Sequence, residues 1–373
     1  MRMRIAMLGL VLALVLWTMP GDCEGSAGLP GLQWESRMET VYANCFAVDY
    51  YEGGYALIDV VDEARYLVVP EDMPVPEGLD ADIVILQQPI DRIYLAATSA
   101  MALFDALDSL DVVRLSALQA SGWYIEDAVA AMESGEMLFA GKYSEPDYEL
   151  LVNEGCSLAI ESTMIYHQPK VKEMIELLGI PVFVDRSSYE THPLGRTEWV
   201  KLYSVLVDRE EQAADFFEEQ ARVIEELKDF ENTEKTVAFF YVSSDGSVNV
   251  RASGDYIASM IEIAGGRYLF DGLSDPESSR STVSLTMEEF YAAAVDADYL
   301  IYNETIDNPI ASLDELLAKS DLFADFRAVQ EKNVWCTGKY LYQATDVVGS
   351  LITDINRMLT GREDGMTFIY KLD

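Results

Sequence analysis

The longest regular pattern of hydrophobic positions lies at the centre of the chain. The apolar positions that recur there at helical spacing are Trp199, Leu202, Tyr203, Leu206, Ala213, Phe216, Phe217, Val223, Ile224 and Leu227. Positions at i, i+3, i+4 and i+7 form one stripe on a helix. Asp208 followed by Glu211 has the spacing of a capping box, so we expect the helix to break and restart there. The pattern predicts a long helical brace over residues 196–230.

Short apolar runs alternate with helical patterns on both sides of this brace. The strands predicted from these runs are 90–96, 112–115, 157–160, 182–184, 237–242, 299–302 and 334–336, with 367–370 as a possible edge strand. The helices predicted between them are 99–107, 125–134, 147–153, 169–178, 255–264, 287–294, 313–319 and 346–359. Such alternation indicates parallel sheets covered by helices on both faces. We therefore predict an α/β fold of two lobes with mainly parallel sheets, 38–195 and 231–373, joined by the brace.

The segment before the first lobe has a different pattern. Residues 24–37 contain Gly, Ser and Pro, and predict a flexible tether. Two strand-like runs then flank Gly53-Gly54, which is a hairpin signal. We expect an extra N-terminal β-hairpin within residues 38–80.

Residues 1–23 have the features of an export signal. Arg2 and Arg4 precede an apolar core from Ile5 to Trp17, which is too short for a good membrane span. Cys23 follows directly, at the place of a lipid-modified cysteine, although Asp22 replaces the usual small residue before it. We predict an extracytoplasmic protein anchored to the membrane through a lipid on Cys23. Cleavage by an ordinary signal peptidase, or an uncleaved anchor, are the alternatives.

Composition excludes further classes of function. The 373 residues suffice for two domains, and 26 basic against 65 acidic residues give a formal net charge of −39. Such a charge argues against nucleic acid as a partner. Cys45, Cys156 and Cys336 are too far apart for a zinc knuckle or a disulfide framework, and the last two lie in apolar runs typical of buried thiols.

The sequence lacks the common signatures of enzymes. It contains no GxSxG, P-loop, GxGxxG or HExxH motif. His167 and His192 are its only histidines, so a three-histidine metal site is impossible. We therefore expect a binding protein rather than an enzyme, with no cofactor apart from a bound ligand.

Polar and aromatic residues collect where predicted strands end, which is where open parallel sheets bind ligands. The candidates for ligand contact are Ser99, Trp123, Tyr166, Arg186, Tyr189, Arg196, Tyr241, Arg251 and Tyr342. Aromatic faces with a few cations suit a large ligand with planar or anionic parts. Each residue also has an ordinary structural interpretation: Ser99 as a helix cap, Trp123 as a core residue and the arginines as partners of nearby acids.

Four stretches resemble the substrate-binding proteins of ABC importers that capture iron–siderophore complexes, haem or cobalamin. They are IYLAATSAMALFDALDSLDVVRL, GKYSEPDYELLVNEGCSLAIEST, VKEMIELLGIPVFVDRSSYETHPLGRTEWVKLYSVL and EEFYAAAVDADYLIYNETID, within residues 85–362. The resemblance implies the class III periplasmic-binding-protein fold, with two lobes, a rigid helix between them and the ligand in the cleft. It also implies one glutamate on each lobe that docks on the permease. By position these are Glu149 and either Glu288 or Glu289, where extra residues before the next strand leave the choice open.

The expected function is capture of an iron chelate, haem or a corrinoid outside the membrane and its delivery to an ABC permease. One alternative is a binding protein for a bare metal ion, which would need several His and carboxylate ligands in the cleft. Another is an exported α/β hydrolase with a carboxylate site.

Overall fold

The computed structural model of the protein describes residues 28–273, 282–305 and 310–373. The expected signal segment 1–23 with Cys23, and residues 24–27 of the expected tether, lie outside these residues. None of the helices in the described ranges combines the length and apolarity needed to cross a bilayer.

The chain begins with a sheet of five strands, in which neighbours follow sequence order. The strands are β1 Trp34–Arg37, β2 Phe46–Tyr51, β3 Tyr55–Val60, β4 Arg65–Val69 and β5 Ile83–Gln87. The hairpin predicted at Gly53-Gly54 is confirmed: both glycines have positive φ and Tyr51 pairs with Tyr55. The predicted flexible tether is wrong for residues 34–37, because they form β1 and Arg37 pairs with Asp49 at 2.7 Å.

The N-terminal lobe contains a five-stranded parallel sheet in the order β12-β11-β6-β7-β8. The strands of this lobe are β6 Tyr94–Leu95, β7 Leu115–Ser116, β8 Leu138–Phe139, β9 Gly141–Lys142, β10 Glu145–Pro146, β11 Ala159–Ser162 and β12 Val182–Asp185. Its helices are α1 Thr98–Ala106, α2 Glu126–Ser134, α3 Tyr148–Asn153 and α4 Pro169–Leu177. All four predicted helices are confirmed to within a residue or two, whereas the strand predicted at 90–96 shortens to two residues.

The brace consists of two helices, α5 Pro193–Val207 and α6 Glu210–Leu227. They separate at Asp208, which adopts a left-handed conformation with φ 55°. The expected break is therefore confirmed, but the expected capping box is wrong. Arg209 occupies the N-cap position of α6, and no side chain accepts a capping hydrogen bond there. Trp199 and Tyr203 of α5 are fully buried.

The C-terminal lobe is built on a seven-stranded sheet, with β15 paired beside β13 and the rest in the order β16-β14-β13-β17-β18-β19. Its strands are β13 Thr236–Val242, β14 Val248–Arg251, β15 Arg267–Tyr268, β16 Thr282–Leu285, β17 Tyr299–Tyr302, β18 Val334–Thr337 and β19 Ile369–Lys371. Its helices are α7 Tyr256–Ile263, α8 Met287–Ala294, α9 Leu313–Lys319, α10 Arg327–Gln330 and α11 Val348–Thr360. The centre of the sheet is parallel, as predicted, and β14, β16 and β19 add antiparallel pairings at its sides.

One continuous hydrophobic core runs through the first sheet, both lobes and α5. Phe46 of β2, Trp199 of the brace and Phe240 of β13 all belong to it. Because packed interiors deform little, we expect this shared core to limit movement of the lobes relative to each other.

Candidate functional site

A cavity of about 350 Å³ lies between the two lobes. Thr98, Gly122 and Tyr124 line it from the N-terminal lobe. Its lining from the C-terminal lobe is Glu304, Thr305, Lys339, Tyr342 and Gln343. Both lobes therefore contribute to a single candidate ligand site, which we call the cleft.

Sheet topology explains why these residues meet. β6 and β7 end shortly before Thr98 and Gly122, and β17 and β18 end shortly before Glu304 and Lys339. Parallel strands bring their carboxyl ends to one edge of a sheet, and ligands bind outside that edge. The position of the cleft follows from the alternation of strands and helices, as the sequence predicted.

Gln343 bridges the lobes at one side of the cleft. Its Oε1 accepts a hydrogen bond from the Tyr124 amide at 2.9 Å, and its Nε2 donates to the Gly122 carbonyl at 2.8 Å. A second cavity of about 340 Å³ lies against Gln343 and Tyr124 as well. The bridge thus separates two openings along the seam and ties the lobes together.

The C-terminal lobe gathers three of the predicted ligand residues next to the cleft. Arg251 is buried and its Nη2 donates to the Tyr342 hydroxyl at 2.9 Å, while Asn303 Nδ2 reaches the same hydroxyl at 3.0 Å. Although burial opposes its charge, Tyr342 and Asp255 hold the pKa of Arg251 above its ordinary value. Tyr241 lies close to both: burial raises the pKa of its phenol, Tyr342 adds to the rise, and Arg251 opposes it.

Arg196 of the brace joins this group. Its guanidinium carbon lies 4.0 Å from the centre of the Tyr256 ring, and the Arg251 guanidinium lies 6.0 Å from the same ring. Tyr256 was not among the predicted ligand residues, because the pattern placed it in the predicted helix 255–264 rather than at the end of a strand. The structure therefore brings Arg196, Tyr241, Arg251 and Tyr342 together, as a ligand site requires.

The other predicted group lies on the N-terminal lobe against the turn between β3 and β4. Arg186 donates to the Asp62 carbonyl at 3.2 Å and lies over the Tyr189 ring at 4.6 Å. The Tyr166 hydroxyl donates to Glu63 at 2.8 Å. These three side chains stay near one another, but they are engaged with the first sheet and do not line the cleft.

Trp123 is a core residue rather than a cleft residue. It is only 4% exposed and its indole N–H donates to the Ser116 hydroxyl at 3.0 Å. Ser99 lies in the first turn of α1 beside Thr98, and no side chain caps that helix. His192 caps α5 through Nδ1 and stacks on Tyr42 at 4.3 Å, so it has a structural role.

Of the residues that line the cleft, Tyr342 was a predicted ligand residue, whereas the others were not: Thr98, Gly122, Tyr124, Glu304, Thr305, Lys339 and Gln343. Glu304 and Thr305 directly follow Asn303 at the end of β17, so the rule used for the other strand ends also applies to them. Glu304 is buried and its Oε2 accepts a hydrogen bond from the Tyr370 hydroxyl at 2.9 Å. The acid thus brings a fixed carboxylate to the cleft.

The thiols are structural, and the described ranges hold no metal centre. Cys45, Cys156 and Cys336 are free, and burial raises the pKa of Cys156 to about 11 and that of Cys336 to about 12. Among residues 28–273, 282–305 and 310–373, no group of three His, Cys, Asp or Glu side chains is placed to hold a metal ion.

The proposed docking glutamates occupy equivalent positions. Glu149 is the second residue of α3, after the capping residue Asp147, and Glu288 is the second residue of α8, after the capping residue Thr286. Both are exposed. Glu289 is instead engaged in a capping box with Thr286, with a hydrogen bond of 2.8 Å to the Thr286 amide.

Comparison with known proteins agrees with this architecture. No protein-family model matches the chain. It is 25% identical over 345 residues to an uncharacterised lipoprotein of Methanocaldococcus jannaschii, covering 87% of this chain and 79% of that protein.

Two solved structures share the fold at low identity. A periplasmic haem-binding protein of Vibrio cholerae aligns with a TM-score of 0.58 and 17% identity, over 72% of this chain and 98% of that one. A protein of an ABC-type Fe3+-hydroxamate transport system from Saccharomonospora viridis aligns with a TM-score of 0.56 and 16% identity, over 72% and 93%. The chain therefore has the two-lobed fold of periplasmic binding proteins.

Proposed function

We propose that this protein is the extracytoplasmic solute-binding component of an ABC importer. It captures a metal complex such as an iron chelate, haem or a corrinoid and delivers it to a membrane permease. The observation that carries the proposal is the cleft, which is lined by residues at strand ends of two lobes. The lobes are joined by a brace whose first helix, α5, is buried. Its volume of about 350 Å³ is at the lower end of the range usual for small-molecule sites.

The chemistry of the cleft suits a complex that is recognised through its outer atoms. Tyr124, Lys339, Tyr342 and Gln343 offer aromatic faces and hydrogen-bond donors, and Glu304 offers an acceptor. Arg251 lies behind Tyr342, and Arg196 lies over the neighbouring Tyr256 ring, so both add positive charge near the cleft. Such a lining contacts the outer atoms of a chelate and leaves in place the bonds between the metal and the ligand atoms of the chelate.

Capture of a bare metal ion has less support. The described residues contain no cluster of metal-ligating side chains, His192 caps a helix, and His167 is exposed outside the cleft. Hydrolysis has little support too. Glu304 is the one carboxylate among the described residues that line the cleft, whereas general acid–base hydrolysis commonly uses a pair of ionisable groups.

Location and partners follow from the same proposal. Cys23 would carry a lipid that holds the mature chain at the outer face of the membrane. Glu149 and Glu288 are exposed at matching helix starts of the two lobes, where basic residues of a permease can reach both. Glu289 is the weaker candidate, since its capping box already uses the carboxylate.

The test is the identity of the compound that co-purifies with the protein from native membranes. We expect a metal-containing compound in a one-to-one ratio, identified by its absorption spectrum, its mass and elemental analysis. A protein that carries only free metal ions, or that converts a bound compound into products, would contradict the proposal.

A further inference from the structure

The second cavity between the lobes, of about 340 Å³, has a lining unlike that of the cleft. We call it the seam cavity. Its lining includes Asp105, Tyr124 and Asp127 of the N-terminal lobe and Tyr340, Asp346 and Phe368 of the C-terminal lobe. It shares Tyr124 and Gln343 with the cleft but no other residue of the cleft lining. The seam cavity is therefore a separate space beside the cleft.

Three aromatic rings line the seam cavity. Tyr340 and Phe368 pack edge to face with ring centres 5.4 Å apart, and the Tyr340 hydroxyl donates to the Thr367 carbonyl at 3.3 Å. Tyr124 lies on the other lobe, and 46% of it is exposed. Aromatic faces attract cations, yet in the part of the chain that the structure describes no Lys or Arg lies over these rings. The rings thus remain available to a cation of a ligand.

The two lobes also bring carboxylates together at this cavity. Asp105 lies in the last turn of α1, and Asp346 lies just before α11. Burial raises the pKa of Asp346 to about 6, and the charge of Asp105 adds to the rise. Burial, and then the charges of Asp127 and Asp108, raise the pKa of Asp105 as well. Since no described Lys, Arg or His lines the cavity, like charges meet there without a counterion.

Helix ends explain only some of these acids. Glu126 and Asp127 lie in the first turn of α2, where the helix dipole favours negative charge. Asp105 lies at the opposite end of its helix, where the dipole disfavours negative charge. Asp346 precedes α11, but no side chain caps that helix. A positive group in the cavity would compensate both Asp105 and Asp346.

The arginines of a neighbouring cavity have other partners. That cavity, of about 860 Å³, shares Asp105 with the seam cavity and contains Arg114 and Arg209. Arg114 pairs with Glu154 at 2.9 Å, and Arg209 donates to the carbonyl of the residue before it at 3.3 Å. The charges that act on Asp105 are those of other acids. Neither arginine therefore neutralises the seam cavity.

We propose that the seam cavity binds an organic cation with a protonated amine, between the Asp105 and Asp346 carboxylates and against the rings of Tyr124, Tyr340 and Phe368. A metal ion fits less well, because the described residues contain no group of three His, Cys, Asp or Glu side chains placed to hold one. The inference goes beyond the proposed function, since this cavity is distinct from the cleft. Two sources of the amine are distinguished by the test: an arm of the captured complex and a separate small molecule.

The test is calorimetric titration with three probes. Ferrioxamine B is a ferric hydroxamate that ends in a protonated amine, its N-acetyl derivative lacks this charge, and pentylammonium carries the amine without iron. An ionic strength of about 0.15 M screens the general attraction of cations to a chain with a net charge of −39.

Two variants alter the cavity, and each has a matched control. Asp346→Asn removes one carboxylate, and Phe368→Leu removes one ring while it keeps an apolar side chain. The controls are Asp364→Asn and Phe139→Leu, because both residues are exposed outside the seam cavity. Thermal unfolding of each variant measures any loss of stability, which would affect all three probes alike.

If the amine belongs to the captured complex, we expect the native protein to bind ferrioxamine B about three- to thirtyfold more tightly than the acetylated form. Asp346→Asn should remove most of this preference, Phe368→Leu should reduce it about two- to tenfold, and the controls should keep it. If the amine belongs to a separate molecule, pentylammonium should bind alone, more weakly to Asp346→Asn and Phe368→Leu than to their controls, while the two chelates bind alike.

Equal binding of the two chelates without binding of pentylammonium would overturn the inference and leave the proposed function intact. A preference for the amine that Asp364→Asn reduces as much as Asp346→Asn would also overturn it, because net charge alone would then explain the effect. Binding of pentylammonium and of neither chelate would support the cation site, while the compound that co-purifies with the protein tests the proposed function separately. Binding of no probe would overturn the inference.

Discussion

At the scale of single residues, Glu161 has the least usual environment in the N-terminal lobe. It lies on β11 with no measurable exposure, and neither carboxyl oxygen has a hydrogen-bond partner among the described residues. Burial raises the pKa of this carboxyl to about 8. Burial, and then the charge of Glu161, raise the pKa of Tyr94 on β6 and of Tyr148 on α3, so these phenols face the acid. Glu161 is therefore protonated at neutral pH.

This environment makes the stability of the fold depend on pH. The carboxyl pKa is raised from 4.5 in the unfolded chain to about 8 in the folded one, so the folded state holds the proton longer. The stability present below the unfolded pKa is consequently lost as pH rises between these values, by about 1.4 kcal/mol for each pH unit. We expect Glu161→Gln to remove this loss, so that the variant gains stability relative to the native protein from pH 5 to pH 8. Urea unfolding of both proteins across that range measures the difference between their free energies of unfolding. A difference that does not change with pH would contradict the raised pKa of Glu161.

The partners of single side chains could not be predicted from the sequence. Arg186 and Arg196 look alike in the sequence, as arginines in or beside the loop that leads into the brace. Only the fold pairs Arg186 with Asp62, a partner more than a hundred positions away, and leaves Arg196 on Tyr256. Trp123 was expected near the ligand, but its hydrogen bond to Ser116 holds it in the core. Side-chain partners distant in sequence decide these outcomes.

At the scale of elements, the chain between β1 and β2 is fixed to α5 and to the loop before it by two buried carboxylates. We call residues 39–45 the strap. Glu198 of α5 accepts hydrogen bonds from the amides of Tyr42 and Ala43 at 2.7 and 2.8 Å, and it also binds Lys201 at 2.8 Å. Glu190 accepts from the amide of Cys45 at 2.9 Å. The first sheet is thus an integral part of the N-terminal lobe.

We expect Glu198→Ala to destabilise the protein by about 3–5 kcal/mol, because it leaves the strap amides and Lys201 without their buried partner. Glu198→Gln keeps an acceptor oxygen and should cost less. Lys201→Met is a suitable control, since the carboxylate then keeps its amide partners. Chemical denaturation gives the free energy of unfolding of each variant. A loss below about 1 kcal/mol in Glu198→Ala, typical of surface positions, would show that the strap is not held in this way.

Local sequence predicted the helices well because capping residues and apolar spacing are local signals. Thr286 and Glu289 form the capping box of α8, and the predicted helix 287–294 matches it. The strap depends on acids from α5 and the loop before it, and β1 depends on its pairing with β2. The Gly, Ser and Pro content of residues 24–37 predicted a tether, although the last four of these residues form β1. The long-range hydrogen bonds that order this region leave no periodic pattern.

At the scale of the whole molecule, the two lobes share one hydrophobic core and meet at the cleft. Besides the shared core, Gln343 bridges to residues 122 and 124, and the Thr197 hydroxyl of the brace donates to the Thr345 carbonyl at 2.9 Å. Hinge closure requires a few residues that absorb large dihedral changes, and these contacts restrain the seam. We therefore expect the separation of Glu149 and Glu288 to change little when ligand binds.

This geometry makes docking testable. We expect Glu149→Lys and Glu288→Lys each to reduce uptake through the permease several-fold without changing ligand affinity, because both side chains are exposed away from the cleft. Salt should weaken docking of the native protein, since exposed charge pairs are screened. Glu218→Lys on the exposed side of α6 provides a control with the same change of charge. Uptake and titration of the same variants separate the two effects, and lower ligand affinity would instead place the glutamates in the ligand site.

The cleft between the lobes is the proposed site of the metal complex. The most direct measurement is titration of the native protein and of Thr98→Trp with the compound that co-purifies from native membranes. Thr98 lines the cleft at the first turn of α1, and an indole there would occupy much of the space. We expect one-to-one binding by the native protein, loss of binding in Thr98→Trp, and retention of binding in Thr98→Ser. Undiminished binding by a folded Thr98→Trp protein would show that the ligand binds elsewhere.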